Sequence, residues 1–444
     1  MQATWKTCAR FWGSLTVLQQ LVVGYLSYVL TGWLVLLLPI CHEQSGLSAL
    51  DHLFMAASAV STTGLVTIST ADSYSFLGEL VLILLIQAGG LGYMTISSFL
   101  LLAVSKPLSV ERQQLNMAAL SLPVDFDVSR FVRLVCWYTL VVESLGALAL
   151  WPVFADRPFG EALWICVFHS ISAFCTAGFG LFNNSFEDYR GNVWLNGTLI
   201  VLSELGAVGF LVINDVWRSL RSRELHATFT TRVILWSTAI LTVAGTVLFW
   251  LEEPAVRTVS WQEAWMASLF QVMTAQTTVG FNTVPIGALS ASSVMLLTLM
   301  MLIGASPAGT GGGMKTTTIS ALWGHAVSVL RRRPVTSLLG RVIPEVRLRA
   351  AVANSVFYLG TLGLGVYLLT LVESSPFVDQ FFECASALGT VGLSRGITGS
   401  LTPLGKCIII ALMLLGRAGP LVVGMSLVRP LVETEPSPTE DVVV

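Results

Sequence analysis

Four short segments of this sequence carry the same residues at the same offsets, in a pattern suited to presenting backbone oxygens around an axis. Anchored on Gly64, Gly178, Gly280 and Gly392, which are 114, 102 and 112 residues apart, they align without gaps. Ten residues before the anchor stands Phe54, Phe168, Phe270 or Phe382, and six before it a hydroxyl, Ser58, Ser172, Thr274 or Ser386. Five before it is Ala59, Ala173, Ala275 or Ala387, and two before it Thr62, Thr176, Thr278 or Thr390. A large apolar residue follows each anchor: Leu65, Phe179, Phe281 or Leu393. A single such glycine is ordinarily a contact point between membrane helices. The fourfold threonine-x-glycine context argues for a shared role instead.

A cation crossing hydrocarbon must exchange its water shell for fixed oxygens, and rings of backbone carbonyls supply them without a buried formal charge. Glycine permits the positive φ that turns successive carbonyls toward one axis. Non-helical backbone at membrane depth is tolerated only where it is buried or lines a water-filled cavity. The candidate selectivity filter is therefore Thr62, Thr63, Gly64 and Leu65; Thr176, Ala177, Gly178 and Phe179; Thr278, Val279, Gly280 and Phe281; and Thr390, Val391, Gly392 and Leu393. The short helix expected before each glycine, such as Trp261 to Gln276, would aim its negative C-terminal end at the cavity. The filter segments hold no acidic residue. Glu383 stands nine residues before the fourth glycine, where the other segments have Met55, His169 and Gln271. It is either an ion ligand or a hydrogen-bonded or outward-facing residue.

The elements that position these segments follow from composition. Of the 444 residues, 54% are hydrophobic and 11% are charged, too few charges for an ordinary water-facing surface. Apolar runs cover 15–40, 76–104, 131–154, 193–216, 233–251, 292–303, 352–372 and 404–428, and all but one reach the length needed to cross a bilayer. Each anchor glycine lies between two of these runs. The expected fold is an all-α polytopic membrane protein, with four fused helix/pore-loop/helix repeats around one pore. It has eight transmembrane segments and four re-entrant pore helices. The expected repeats are 1–106, 107–218, 219–333 and 334–444, the last including a short, acidic, disordered tail.

Lys6 and Arg10 precede the first run, which reads as a retained helix rather than a cleaved signal. Seventeen of the 24 Lys and Arg residues fall on the side that holds both termini, so both termini are expected in the cytoplasm of a cell whose inner membrane the chain crosses. The seven cysteines show neither zinc-ligand nor disulfide spacing and read as packing residues. Neither a covalently bound cofactor nor a nucleic-acid partner is expected.

Thr278-Val279-Gly280-Phe281 and Thr390-Val391-Gly392-Leu393 look like degenerate potassium-channel filters, and the whole chain resembles the Trk/Ktr/HKT superfamily of potassium transporters. Within it, eight spans without extra N-terminal helices look like the KtrB branch rather than the longer TrkH branch. The resemblance implies potassium as substrate, held at Gly64, Gly178, Gly280 and Gly392, with sodium as a candidate activator. It also implies a homodimer in the lipid bilayer on a separate cytoplasmic nucleotide-binding ring, KtrA-like. Arg331, Arg332 and Arg333 could contact that ring, or serve only topology and lipid headgroups.

Two further features fit the resemblance. Gly304, Ala305, Ser306, Pro307, Ala308, Gly309, Thr310, Gly311, Gly312, Gly313, Met314, Lys315 and Thr316 hold five glycines and a proline in what would be a helix, and cannot stay helical. They resemble the family's intramembrane gating loop. The stretch departs from a nucleotide-binding loop because Met314 stands where a glycine must precede the lysine. Arg417, within an apolar run, needs a partner or a water-filled cavity. The resemblance implies a positive barrier beside the gate, and the alternative is pairing with Glu143 or Glu204.

Two other functions compete with a channel-like path. One is a sodium- or proton-coupled potassium symporter. The other is an intramembrane enzyme using His169, Ser172 or the cysteines, which is weakened because Ser172 belongs to a column present in all four segments and a nucleophile needs its own base.

Overall fold

The computed structural model describes residues 15, 17–92, 128–222, 227–307 and 309–427. The first repeat boundary at 106/107, the acidic tail, Cys8 and Ala308 lie outside the described residues.

Three helices recur around each filter segment. The first group is α1 (Val17–Leu36), α2 (Ala49–Val60) and α3 (Phe76–Leu91). The second is α4 (Val128–Phe154), α5 (Phe159–Phe174) and α6 (Val193–Ala207), with α7 (Phe210–Ser222) after it. The third is α8 (Phe229–Glu252), α9 (Trp261–Gln276) and α10 (Ala291–Leu302), followed across a loop by α11 (Thr316–Leu330). A hairpin of β1 (Ser337–Leu338) and β2 (Arg341–Val342) leads to the fourth group: α12 (Glu345–Val372), α13 (Phe377–Gly389) and α14 (Pro403–Ala418), with α15 (Pro420–Leu427) after it.

Local sequence starts many of these helices. Ser48, Ser75, Asn192, Thr228, Ser260, Ser290 and Thr402 each accept a backbone N–H of the first turn, before α2, α3, α6, α8, α9, α10 and α14. The expected helix over Trp261 to Gln276 coincides with α9.

Packing closes the four groups into a ring. In every group the first helix, the short helix and the third helix touch one another. Each third helix also packs on the short helix of the next group: α3 on α5, α6 on α9, α10 on α13, and α14 back on α2. The short helices α2, α5, α9 and α13 therefore sit inside, and their phenylalanine column Phe54, Phe168, Phe270 and Phe382 is fully buried. Outside, Leu34, Leu148, Val243 and Leu371 on α1, α4, α8 and α12 are more than half exposed. Such an apolar outer belt suits lipid rather than water. Among the described residues, three helices are long and apolar enough to cross a membrane, within α4, α8 and α12, and a fourth if the bent pair α14–α15 counts as one span.

Two runs expected to be continuous are broken. Residues 193–216 divide into α6 and α7 at Gly209, whose φ is 93°. Residues 404–428 divide into α14 and α15 at Gly419, φ 87°, and the axes meet at 89°. Pro420, which has no N–H for the preceding turn, starts the second piece. Likewise α3 stops before Gly92, φ 77°.

Candidate functional site

One or two residues past each short helix stands a threonine of left-handed backbone, a rare conformation for a β-branched residue. Here φ is 53° at Thr62, 50° at Thr176, 59° at Thr278 and 50° at Thr390. Two residues later the anchors repeat the sign, at 90°, 67°, 85° and 94° for Gly64, Gly178, Gly280 and Gly392. Positive φ at alternate residues turns toward one side the carbonyls that a plain strand would present on both. The turn is held by its own helix. Thr63, Ala177, Val279 and Val391 donate their N–H groups to the carbonyls of Ser58, Ser172, Thr274 and Ser386 at 2.8–3.1 Å. The Ser58 and Ser386 hydroxyls accept from the N–H groups of Gly64 and Gly392, each at 3.1 Å. Ser172 instead donates to the Phe179 carbonyl at 2.7 Å, and the Thr274 hydroxyl is buried with no partner among the described residues.

The four strands meet edge to edge. A methyl group on Gly64 would collide with the Ala177 carbonyl, one on Gly178 with Val279, one on Gly280 with Val391, and one on Gly392 with Thr63. Each such carbon would also lie 3.0–3.2 Å from the next anchor's Cα. The order runs once around and returns to its start, so the anchors form a closed ring. Leu65, Phe179, Phe281 and Leu393 are buried beside it.

The glycine-rich stretch lies against the threonine end of this ring. It leaves α10 and folds back on itself, with Ala305 N–H donating to Gly312 O and Met314 N–H to Leu302 O, each at 3.1 Å. It is tied to the end of α6, where Ala207 O accepts from Ser306 N–H and Gly206 O from Thr310 N–H. The Gly312 N–H donates to Thr278 Oγ1 at 3.1 Å. Lys315 Nζ donates to Gly311 O at 2.7 Å.

Arg417, at the end of α14, donates to the Thr310 carbonyl and, at 2.5 and 3.1 Å, to the Gly89 and Gly90 carbonyls of α3. Its partners are backbone oxygens, so the alternative of a pair with Glu143 or Glu204 does not hold. Gln87 Nε2 donates to Glu143 at 2.5 Å, and the Cys175 thiol lies 3.7 Å from the same carboxylate.

Glu383 is fully buried behind the fourth strand, accepting from Ser394 Oγ at 2.8 Å and from Thr398 Oγ1. Of the readings left open, the hydrogen-bonded one is observed. His169 plays a similar part in the second segment: Nε2 accepts the Leu181 N–H at 3.1 Å while Nδ1 faces Ile165 O at 2.9 Å. Both ring nitrogens and the Ser172 hydroxyl are thus engaged separately, and His169 and Ser172 form no nucleophile–base pair. Around the outer rim, Arg190 pairs with Glu263 at 2.8 Å and Asn282 donates to Glu187. Burial raises the Glu187 carboxyl above its usual range.

A family model described as "TrkH: Cation transport protein" matches residues 28–430, spanning all four filter segments, the loop and Arg417. The chain belongs to the TrkH cation transport family. A TrkH-family relative, the Ktr system potassium uptake protein B of Vibrio alginolyticus, is 34% identical over 415 residues, which is 92% of this chain and 91% of the relative. The potassium/sodium uptake protein NtpJ of Enterococcus hirae is 31% identical over 424 residues, 93% of each. The crystal structure of the potassium transporter TrkH from Vibrio parahaemolyticus superposes with a TM-score of 0.75 at 20% identity, over 93% of this chain and 84% of that one. That likeness establishes the TrkH fold. The relatives are ion transporters, as the reading against an enzyme expected.

No acid or nucleophile pattern in the sequence pointed to the Gln87–Glu143–Cys175 group or to the rim pairs. Their members lie far apart in the chain.

Proposed function

We propose that this chain is the ion-translocating membrane subunit of a bacterial potassium uptake system, passing potassium by channel-like permeation through the four threonine-x-glycine strands. The observation that carries this reading is the closed ring of anchors, each glycine against the carbonyl before the next one. Such a ring offers backbone oxygens in place of water and binds a cation without a buried counter-charge. The names of the Ktr and NtpJ relatives support potassium as cargo. In the same reading residues 304–316 and Arg417 are the gate, supported by their bonds to one another beneath the threonines.

The recurrent three-helix packing supports four repeats, 1–106, 107–218, 219–333 and 334–444, with eight crossings and four re-entrant pore helices. Both termini lie in the cytoplasm, and the chain works as a homodimer in the inner membrane on a nucleotide-binding ring. The presence of "system" in the printed name of the Ktr relative supports partner subunits.

A sodium-coupled symporter is the second reading, favoured by the potassium/sodium name of NtpJ. Reversal potentials in proteoliposomes separate the two. A channel-like path reverses at the potassium equilibrium potential whatever the sodium gradient, whereas a shift with sodium would replace this reading by coupled transport.

A further inference from the structure

After α11 the chain turns back along the helix instead of running away from the membrane. Arg332, with φ 51°, makes the reversal, and the Arg333 N–H donates to Ser328 O at 2.9 Å. The Ser337 N–H donates to Ser328 Oγ at 3.0 Å, Thr336 Oγ1 lies 2.8 Å from His325 Nδ1, and a methyl group on Gly324 would sit 3.3 Å from Leu338 Cβ. The partners of β1 thus step back toward the start of α11 as the strand advances. That start, Thr316, is where the loop beneath the filter ends, so it is the deep end of the helix. The hairpin tip, Leu339-Gly340, therefore points into the membrane. Gly324 lies about 12 Å along the helix from Thr316, and half a hydrocarbon core is about 15 Å. From a loop at mid-membrane, this places the tip near the boundary of the hydrocarbon.

The two-residue turn has positive φ at both positions, 46° at Leu339 and 75° at Gly340. Asn-Gly suits such a turn, because asparagine tolerates left-handed backbone where leucine is strained. Leucine stands there nonetheless and is more than half exposed, as are Val342 on β2 and Trp323 next to Gly324. Acyl chains stabilise such groups and water does not, and tryptophan favours the interface between them. Around the hairpin Arg331, Arg332, Arg333, Arg341, Arg347 and Arg349 are exposed. Glu345 is the one acid from 331 to 349, and Arg349 pairs with it at 2.6 Å. The Arg331, Arg332 and Arg341 guanidinium groups have no hydrogen-bond partner among the described residues.

We infer that this hairpin is a binding site for anionic phospholipid, with Leu339 among the acyl chains of the cytoplasmic leaflet and the arginines on headgroup phosphates. Topology requires only positive charge on this side. It does not call for a hairpin folded back toward the bilayer, or for a strained apolar residue at its tip. The guanidinium fork matches phosphate oxygens in pairs. The length of α12 agrees with this depth. Its 28 residues span about 42 Å, so about eight of them exceed a core of about 30 Å, and the charged end with Glu345, Arg347 and Arg349 is the part left over. The inference rests on the reading above only for the spanning topology, with this side cytoplasmic and the loop near mid-membrane.

The test uses the full-length protein in nanodiscs of dioleoylphosphatidylglycerol or of dioleoylphosphatidylcholine. Hydrogen exchange at residues 337–342 should be slower in the anionic bilayer, and equal exchange in the two would overturn the inference. In detergent, added phosphatidylglycerol should raise the thermal midpoint more than phosphatidylcholine does. Replacing Arg331, Arg332 and Arg341 together by glutamine should weaken its apparent affinity roughly a hundredfold, at about fivefold per arginine, and the three lysine replacements should keep most of it. Leu339→Asn suits the turn better than leucine, so the lipid-free protein should be no less stable while the affinity falls severalfold. Unchanged affinity in both the glutamine variant and L339N would remove the site from this hairpin. An equal effect of glycerol 3-phosphate, which has no acyl chains, would make it a soluble-anion site and sink the proposal. Protection that follows protein concentration rather than lipid charge would give the face to a second copy of the chain, with the same result. None of these measurements involves ion flux, so the inference can fail while the transport reading, tested by reversal potentials, stands.

Discussion

Lys406 follows Asp51 by 355 residues, yet its ammonium donates to the Asp51 carboxylate at 2.6 Å. The pair joins the start of α14 to the first turn of α2, where the fourth helix group closes on the first. Both side chains are only 13–14% exposed. Removing the lysine alone leaves a largely buried carboxylate, so Lys406→Met should cost about 3 kcal/mol. Adding Asp51→Asn should restore part of that loss. Thermal unfolding in detergent measures both, and an unchanged midpoint in K406M would contradict a closing role.

At Gly64 a side chain meets two obstacles: the backbone φ of 90° and the Ala177 carbonyl. Gly64→Ser must therefore displace the first or second strand. The permeability ratio of potassium to sodium should fall with folded protein retained. An unaltered ratio would place the ion path elsewhere.

Deleting 308–313 removes the segment that contacts Thr278 and Thr176 but leaves the four strands in place. Basal flux should rise. Loss of flux in a protein that still elutes as a folded species would mark the loop as a support for the filter.

Arg417 makes three hydrogen bonds to carbonyls on two elements. Arg417→Gln removes both the charge and the fork, so uptake at limiting potassium should increase. An ammonium cannot reproduce that planar fork. Arg417→Lys should therefore keep the barrier but loosen the loop, raising uptake by less. Uptake velocities decide the order, and equal values for R417Q and the unsubstituted protein would rule out a barrier.

Glu383 braces the strand after Gly392 through Ser394 and Thr398. Glu383→Gln retains a hydrogen-bonding group of the same length and should keep most of the potassium preference. Glu383→Ala leaves Ser394 Oγ without its acceptor and Thr398 Oγ1 with Ser394 Oγ alone, and the preference should drop. Equal selectivity in both variants would show that the bracing has no influence on the strand.

What the sequence determined by itself is local. A threonine and a glycine two residues apart, with a hydroxyl six residues before the glycine, specify one turn at the end of one helix, and the structure repeats that turn four times with the same signs of φ. The helix Trp261–Gln276 was legible for the same reason. The breaks at Gly209 and Gly419 had a local signal too, but long apolar runs masked it, because hydrophobicity reports burial in lipid and not helix continuity. Only the tertiary structure decided which neighbour each glycine meets, that Arg417 reaches carbonyls of α3 and the loop rather than an acid, and that Lys406 finds Asp51. These relations depend on how four groups close around an axis. Closure is set by the summed packing of elements hundreds of residues apart, and no window of sequence contains that information.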